Sequence, residues 1–209
     1  LKKLITVAIL LVSLSLSSMA AAQKVQKHSE IPKEVYYKFI KKIRPYISDY
    51  EMKDIFRAVE YYTPRYFGVK GIFEESLTWI LAAIAQESAF QNQNGDKGNS
   101  IGYMMVTMPT CETARRYNGI TRRIKLTSRW PNIHCGMAEM NRLYEHPIIN
   151  GNWELVIRGY NSGIKVLEEP RRYARGNRMN KVHLARIKKY RNMLLKIIQE
   201  YKDIQQERS

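Results

Sequence analysis

The chain has 209 residues and a formal charge of +16. That length suits one domain with its own core, and four His with two Cys at no ligand spacing argue against a zinc site. So strong a positive balance points to a polyanionic partner or surface without choosing among nucleic acid, cell-wall carboxylates and phosphates, or anionic lipid.

The first residues read as an export signal. Lys2 and Lys3 form a positive start, and Leu4 to Leu16 is an apolar run too short for a comfortable membrane span. Ala20, Ala21 and Ala22 offer small residues for cleavage before Gln23. The expected organisation is a leader over residues 1–22, N-terminal helices over 23–70 and a main domain over 71–209. No stable membrane insertion is expected after cleavage. In an exported chain, Cys111 and Cys135 should pair in a disulfide.

Helical periodicity runs through nearly all of the rest. Residues 31–46 carry Val35, Phe39, Ile40 and Ile43 on one face, with Pro32 in the first turn. Ser48 and Glu51 have capping-box spacing and open a second helix. Met52, Ile55, Phe56, Val59 and Tyr62 line one side of it until Pro64 and Gly68 break it. Residues 75–90 are apolar almost all round, which predicts a buried helix. Residues 91–100 have turn composition. Further helices are expected near Pro109, near Ile133 and over 153–160, then a basic loop over 168–180 and a long amphipathic helix over 182–204. No convincing strand pattern appears, so the fold class is all-α.

Glu87 is the residue out of place. It lies seven positions after Ile80 and three after Ile84, on or beside the buried face of the apolar helix. An unpaired carboxylate there would tend to hold its proton. A protonated acid in a cleft is what cleavage of a glycosidic bond requires, because the bridging oxygen leaves poorly unless protonated.

Three short segments frame that residue: Glu87-Ser88, then Gly102-Tyr103-Met104-Met105, then Tyr160-Asn161-Ser162-Gly163. Together with the 132–143 segment, they resemble the lytic transglycosylase family of lysozyme-like fold. That family shows a Glu-Ser pair, a Gly-Leu-Met-Gln segment and a Tyr-Asn-Ala-Gly segment in this order. The resemblance implies peptidoglycan glycan strands as the partner, no cofactor, and cleavage that leaves 1,6-anhydro sugars. It implies Glu87 as acid and then base, with Ser88 donating to the sugar and Gly102 allowing the backbone close to the glycan. Tyr103, Met104 and Met105 would continue that sugar-facing segment. Tyr160 would hydrogen-bond Glu87, and Asn161 would face the substrate.

The chain departs from the pattern at Met105, where an amide is usual and a thioether cannot replace its donors and acceptor. No Tyr opens the last helix, and His183 stands as a possible substitute. Arg171, Arg172, Arg175, Arg178 and Lys181 suggest contact with acidic peptide stems or with a secretion, conjugation or appendage apparatus. Two other readings stay open: a goose-lysozyme-type hydrolase using Asp96 to position water, and a non-catalytic wall-binding scaffold. A nucleic-acid partner is not expected, since the chain reads as exported and has no recognised binding motif.

Overall fold

The computed structural model describes residues 29–68, 72–95 and 98–208. The leader and Asp96 lie outside the described residues. Within them, helices dominate as expected. The first is α1 (Lys33–Ile43), which buries Val35, Tyr36, Phe39 and Ile40. Pro32 sits at its N-cap, one position before the first turn. Next comes α2 (Asp49–Tyr66), opened by Ser48, whose hydroxyl accepts the Glu51 N–H. Pro64 does not end α2 as expected. It lacks an N–H, yet the helix runs two residues further, and the Phe67 N–H still reaches the Thr63 carbonyl at 2.8 Å.

The apolar helix is α3 (Phe73–Ser88), buried on nearly every side. It stops short of the expected end because Ala89 (φ 49°) and Phe90 (φ 60°) are both left-handed. Such a conformation strains residues with a side chain. It is held because the Phe90 ring is fully buried against Phe39 and its carbonyl accepts from Arg44 at 2.8 Å. The turn-rich segment then forms what the periodicity had not suggested: a three-stranded antiparallel sheet of β1 (Asn94–Gly95), β2 (Ser100–Ile101) and β3 (Val106–Thr107). Strands of two residues are too short to leave an alternating pattern.

The remaining helices are α4 (Met108–Tyr117), α5 (Arg129–Tyr144), α6 (Trp153–Ser162), α7 (Lys165–Glu168) and α8 (Ala174–Gln206). The start of α8 corrects the expected loop over 168–180. Arg175, Arg178 and Lys181 belong to the helix, and Arg171 and Arg172 lie in the turn before it. Basic residues had suggested a loop, but Arg and Lys are good helix formers. The buried Asn180 ties this end down by accepting from Asn161 at 2.7 Å and from Ser162.

One core joins these elements. α8 runs along α3, α6 and α1, while α2 packs on α3 and α5. The N-terminal helices thus share the core of the rest, with Tyr36 and Phe56 stacked inside it. Tyr62 stacks face to face on His134 of α5, with centroids 4.3 Å apart. Among the described residues no helix is long and apolar enough to cross a membrane.

Cys111 of α4 and Cys135 of α5 form the expected disulfide, with α-carbons 5.4 Å apart. The bridge spans 24 positions and constrains the unfolded chain. Replacing both Cys by Ala should therefore cost about 3 kcal/mol in urea unfolding. An unchanged midpoint would mean the bridge constrains little.

Burial, with Arg65 second, pushes His134 down to about 4 from its usual 6.5. The unfolded chain binds the extra proton across that window. Stability should rise with pH between those values and be lost as pH falls through them. Urea unfolding across this range should show a steeper loss in wild type than in His134→Phe, and equal slopes would contradict a neutral, buried ring.

Candidate active site

Glu87 lies in the last turn of α3, where the helix meets the left-handed turn. Its side chain is 16% exposed, so it is neither fully buried nor alone. It faces a cleft of about 420 Å³. Thr107 and Thr110 at the start of α4 line one side, and Tyr160 and Asn161 at the end of α6 line another. His183 of α8 brings Nε2 to 3.1 Å from Glu87 Oε1, with the ring turned away from a linear hydrogen bond. The last helix thus brings a histidine against the carboxylate, while the Tyr at its opening is Tyr173, the N-cap of α8.

A second carboxylate, Glu139 of α5, faces the same cleft, and sequence reasoning missed it. It is 6% exposed, and both its oxygens accept from Arg142 at 2.7 Å. A signal was present. α5 is buried on most sides, so a Glu there is as anomalous as Glu87 in α3. Among the described residues no hydrogen bond occupies the Glu87 carboxylate, whereas Arg142 holds both oxygens of Glu139 in one bidentate pair.

The other expected residues divide into cleft and support. Met105 (φ 48°) and Asn161 line the cleft. Ser88 does not face it: the residue is 2% exposed, and its hydroxyl donates to the Tyr103 carbonyl at 2.7 Å. Tyr160 reaches the cleft, but its hydroxyl donates to the Met104 carbonyl at 2.7 Å instead of to Glu87. Burial first, then Glu87 and Glu139, pushes that phenol well above its ordinary range, so it stays a protonated donor. Tyr103 points away, donating to Glu51 at 2.9 Å and accepting from Arg129. Glu51 also pairs with Arg44 at 2.9 Å, so its carboxylate joins this network instead of closing a capping box. Met104 is fully buried against Gly136, where an added Cβ would meet its sulfur at 2.5 Å.

Gly102 has a different neighbour from the one expected. Its φ is 83°, and an added Cβ would stand 2.2 Å from the Asn132 side-chain nitrogen. That close approach is to a protein side chain. Asn132 is fully buried; it donates to the Ile101 carbonyl at 2.7 Å and accepts the Met104 N–H at 2.9 Å. A larger cavity, of about 600 Å³, lies elsewhere and has no carboxylate in its lining, so it cannot supply an acid. Among the described residues no group of His, Cys, Asp or Glu is arranged to hold a metal ion.

Gly102→Ala should combine left-handed strain with a clash against Asn132, destabilising the fold by about 2–4 kcal/mol. Urea unfolding checks this, and a loss near zero would mean that the Asn132 clamp is soft.

Comparison with known proteins supplies the family. The model of the Transglycosylase SLT domain matches residues 70–182, more than half of the chain. Neither the comparison with curated proteins nor that with solved structures returned a match. The matched span holds α3, the sheet, the disulfide and every residue that lines the cleft, and ends one residue before His183. The chain belongs to the SLT transglycosylase family, helical enzymes of lysozyme-like fold that act on peptidoglycan.

Proposed function

We propose that this protein cleaves the β-1,4 bond between N-acetylmuramic acid and N-acetylglucosamine without consuming water, in the periplasm or as a secreted enzyme. Glu87 carries both proton transfers. In its protonated form it donates to the bridging oxygen as the bond to the anomeric carbon breaks. The resulting carboxylate then takes the proton of the muramic 6-hydroxyl as that oxygen closes on the anomeric carbon. The proton lost in the first step returns in the second, and the product is a 1,6-anhydro sugar. Positive charge at the anomeric carbon is met by the substrate's own N-acetyl group. His183 is a positioning residue that sets the direction of the Glu87 carboxylate.

The observation that carries this reading is the unequal state of the two cleft carboxylates. Among the described residues the Glu87 carboxylate has His183 Nε2 at 3.1 Å from Oε1, off hydrogen-bond geometry, and no hydrogen bond, so it can exchange a proton with a ligand. Glu139 has both oxygens committed to Arg142. A retaining or inverting hydrolase needs a second carboxylate that is free to attack or to activate water. Glu139 faces the cleft, however, and this favours hydrolysis as the second reading.

Product analysis separates the two. Wild type on purified wall should release 1,6-anhydromuropeptides, read by mass spectrometry. Glu87→Gln should keep the fold and lose about 10⁴-fold or more of the rate, since one group serves both steps. Glu139→Gln should retain the anhydro product within about tenfold of the wild-type rate. Reducing ends in place of anhydro ends, lost in Glu139→Gln, would establish the hydrolase. Folded wild type that releases neither product would leave a wall-binding scaffold. His183→Ala should lower kcat by about 10²-fold with a small change in KM, and should alter the pH profile. An unaltered profile would assign His183 to packing alone.

A further inference from the structure

The larger cavity lies on the far side of α5. Trp130 and His134 line it, while Glu139 faces the catalytic cleft. Trp130 and Glu139 are nine residues apart, which is about 13 Å along the axis and half a turn around it. The cavity is therefore separate from the cleft.

Its wall is aromatic and held in place. Tyr61 and Tyr62 of α2 stand 5.6 and 6.0 Å from the Trp130 ring, and Tyr62 stacks on His134. The Trp130 N–H donates to Asp54 at 2.9 Å, which fixes the indole. His134 is kept neutral by burial, so it acts here as a ring. Its rim is cationic, with Arg65, Arg122, Arg123 and Lys125. Buried Ile124 and Leu126 anchor the rim segment, and Asn92 donates to its Thr127 carbonyl at 3.2 Å. Arg122, Arg123 and Lys125 are exposed and have no carboxylate partner among the described residues.

Rigid rings beneath unpaired cations suit a ligand with a flat, weakly polar face and carboxylates at its edge. A pyranose presents C–H bonds on one face, and the peptide stems on peptidoglycan supply carboxylates. We infer that this cavity is a second wall-binding site, which takes a peptide-bearing sugar of a neighbouring glycan strand. The inference rests on the chain acting on peptidoglycan. A grip on one strand would raise the effective concentration of the next at the cleft. The stem carboxylates supply the charge recognised here, so a neutral sugar chain should bind poorly.

Binding can be measured without turnover, in the Glu87→Gln protein, so its failure differs from a failure of the cleavage mechanism. The probes are N-acetylglucosaminyl-N-acetylmuramic acid bearing a tetrapeptide, the same disaccharide without peptide, and neutral chitotetraose. The Trp130 indole N–H resonance should move with the first, weakly with the second, and little with the third. Arg122→Glu with Arg123→Glu should abolish that shift. The same pair, in otherwise wild-type protein, should weaken binding to purified sacculi at least about tenfold and flatten its salt dependence. Cleavage of a short soluble glycan should be unchanged. The proposal is overturned if Trp130 is unmoved by the muropeptide or if the charge-reversed protein binds sacculi like wild type. It is equally overturned if single-stranded DNA moves Trp130 while the muropeptide does not.

Discussion

The geometry of the cleft depends on one buried side chain, the Asn132 amide. It donates to the Ile101 carbonyl and accepts the Met104 N–H, so it acts as a strut between α5 and the segment leaving β2. Unmet backbone groups at that depth would be costly, and a side-chain amide offers both the donor and the acceptor they need. The strut has no room to shift, since Gly102 leaves space for nothing more. Cys135 stands three residues further along α5 and ties it to α4, whose first turn lines the cleft. Removing the amide would free the segment that carries Met105, and with it part of the lining of the cleft.

A second network ties the N-terminal helices to the same segment. Glu51 of α2 accepts from both Arg44 and Tyr103, and Arg129 contacts Tyr103 while pairing with Asp54. Asp54 in turn holds the Trp130 indole. The side chains that position the aromatic cavity and those that brace the cleft segment therefore belong to one polar chain. Buried or half-buried networks of this kind are rigid when every member is satisfied. α1 and α2 lie before the matched family span, and they are nonetheless part of what fixes the cleft.

Much of this was legible in the residues, and the misses have physical causes. The helices announced themselves through period, and Glu87 through the cost of placing a carboxylate among apolar neighbours. What sequence spacing does not encode is where a hydroxyl goes when several backbone carbonyls compete for it. Ser88 and Tyr160 both carry hydroxyls expected to serve substrate or Glu87, and both bond backbone carbonyls of the Gly102–Met105 segment instead. His183 and Glu87 are distant in sequence, so their contact appears only once α8 lies along α3. Glu139 carries no mark in the motif likeness of residues 132–143; what distinguishes it is a charge on a helix buried on most sides. The sheet was invisible because two-residue strands have no period.

Gly136 has a consequence of another kind. Met104 occupies the notch that its missing side chain leaves on α5, with the Met104 sulfur and two of its carbons within 3 Å of where a Cβ would stand. The segment carrying Met105 is therefore seated by the absence of a methyl group. A larger residue at 136 would act as a shim, lifting the segment off α5 and changing the shape of the cleft that Met105 and Glu87 both line. The aperture of this enzyme is in that sense adjustable at a buried position that touches no ligand. Changes in which glycan strands it accepts could arise there without altering any residue that lines the cleft.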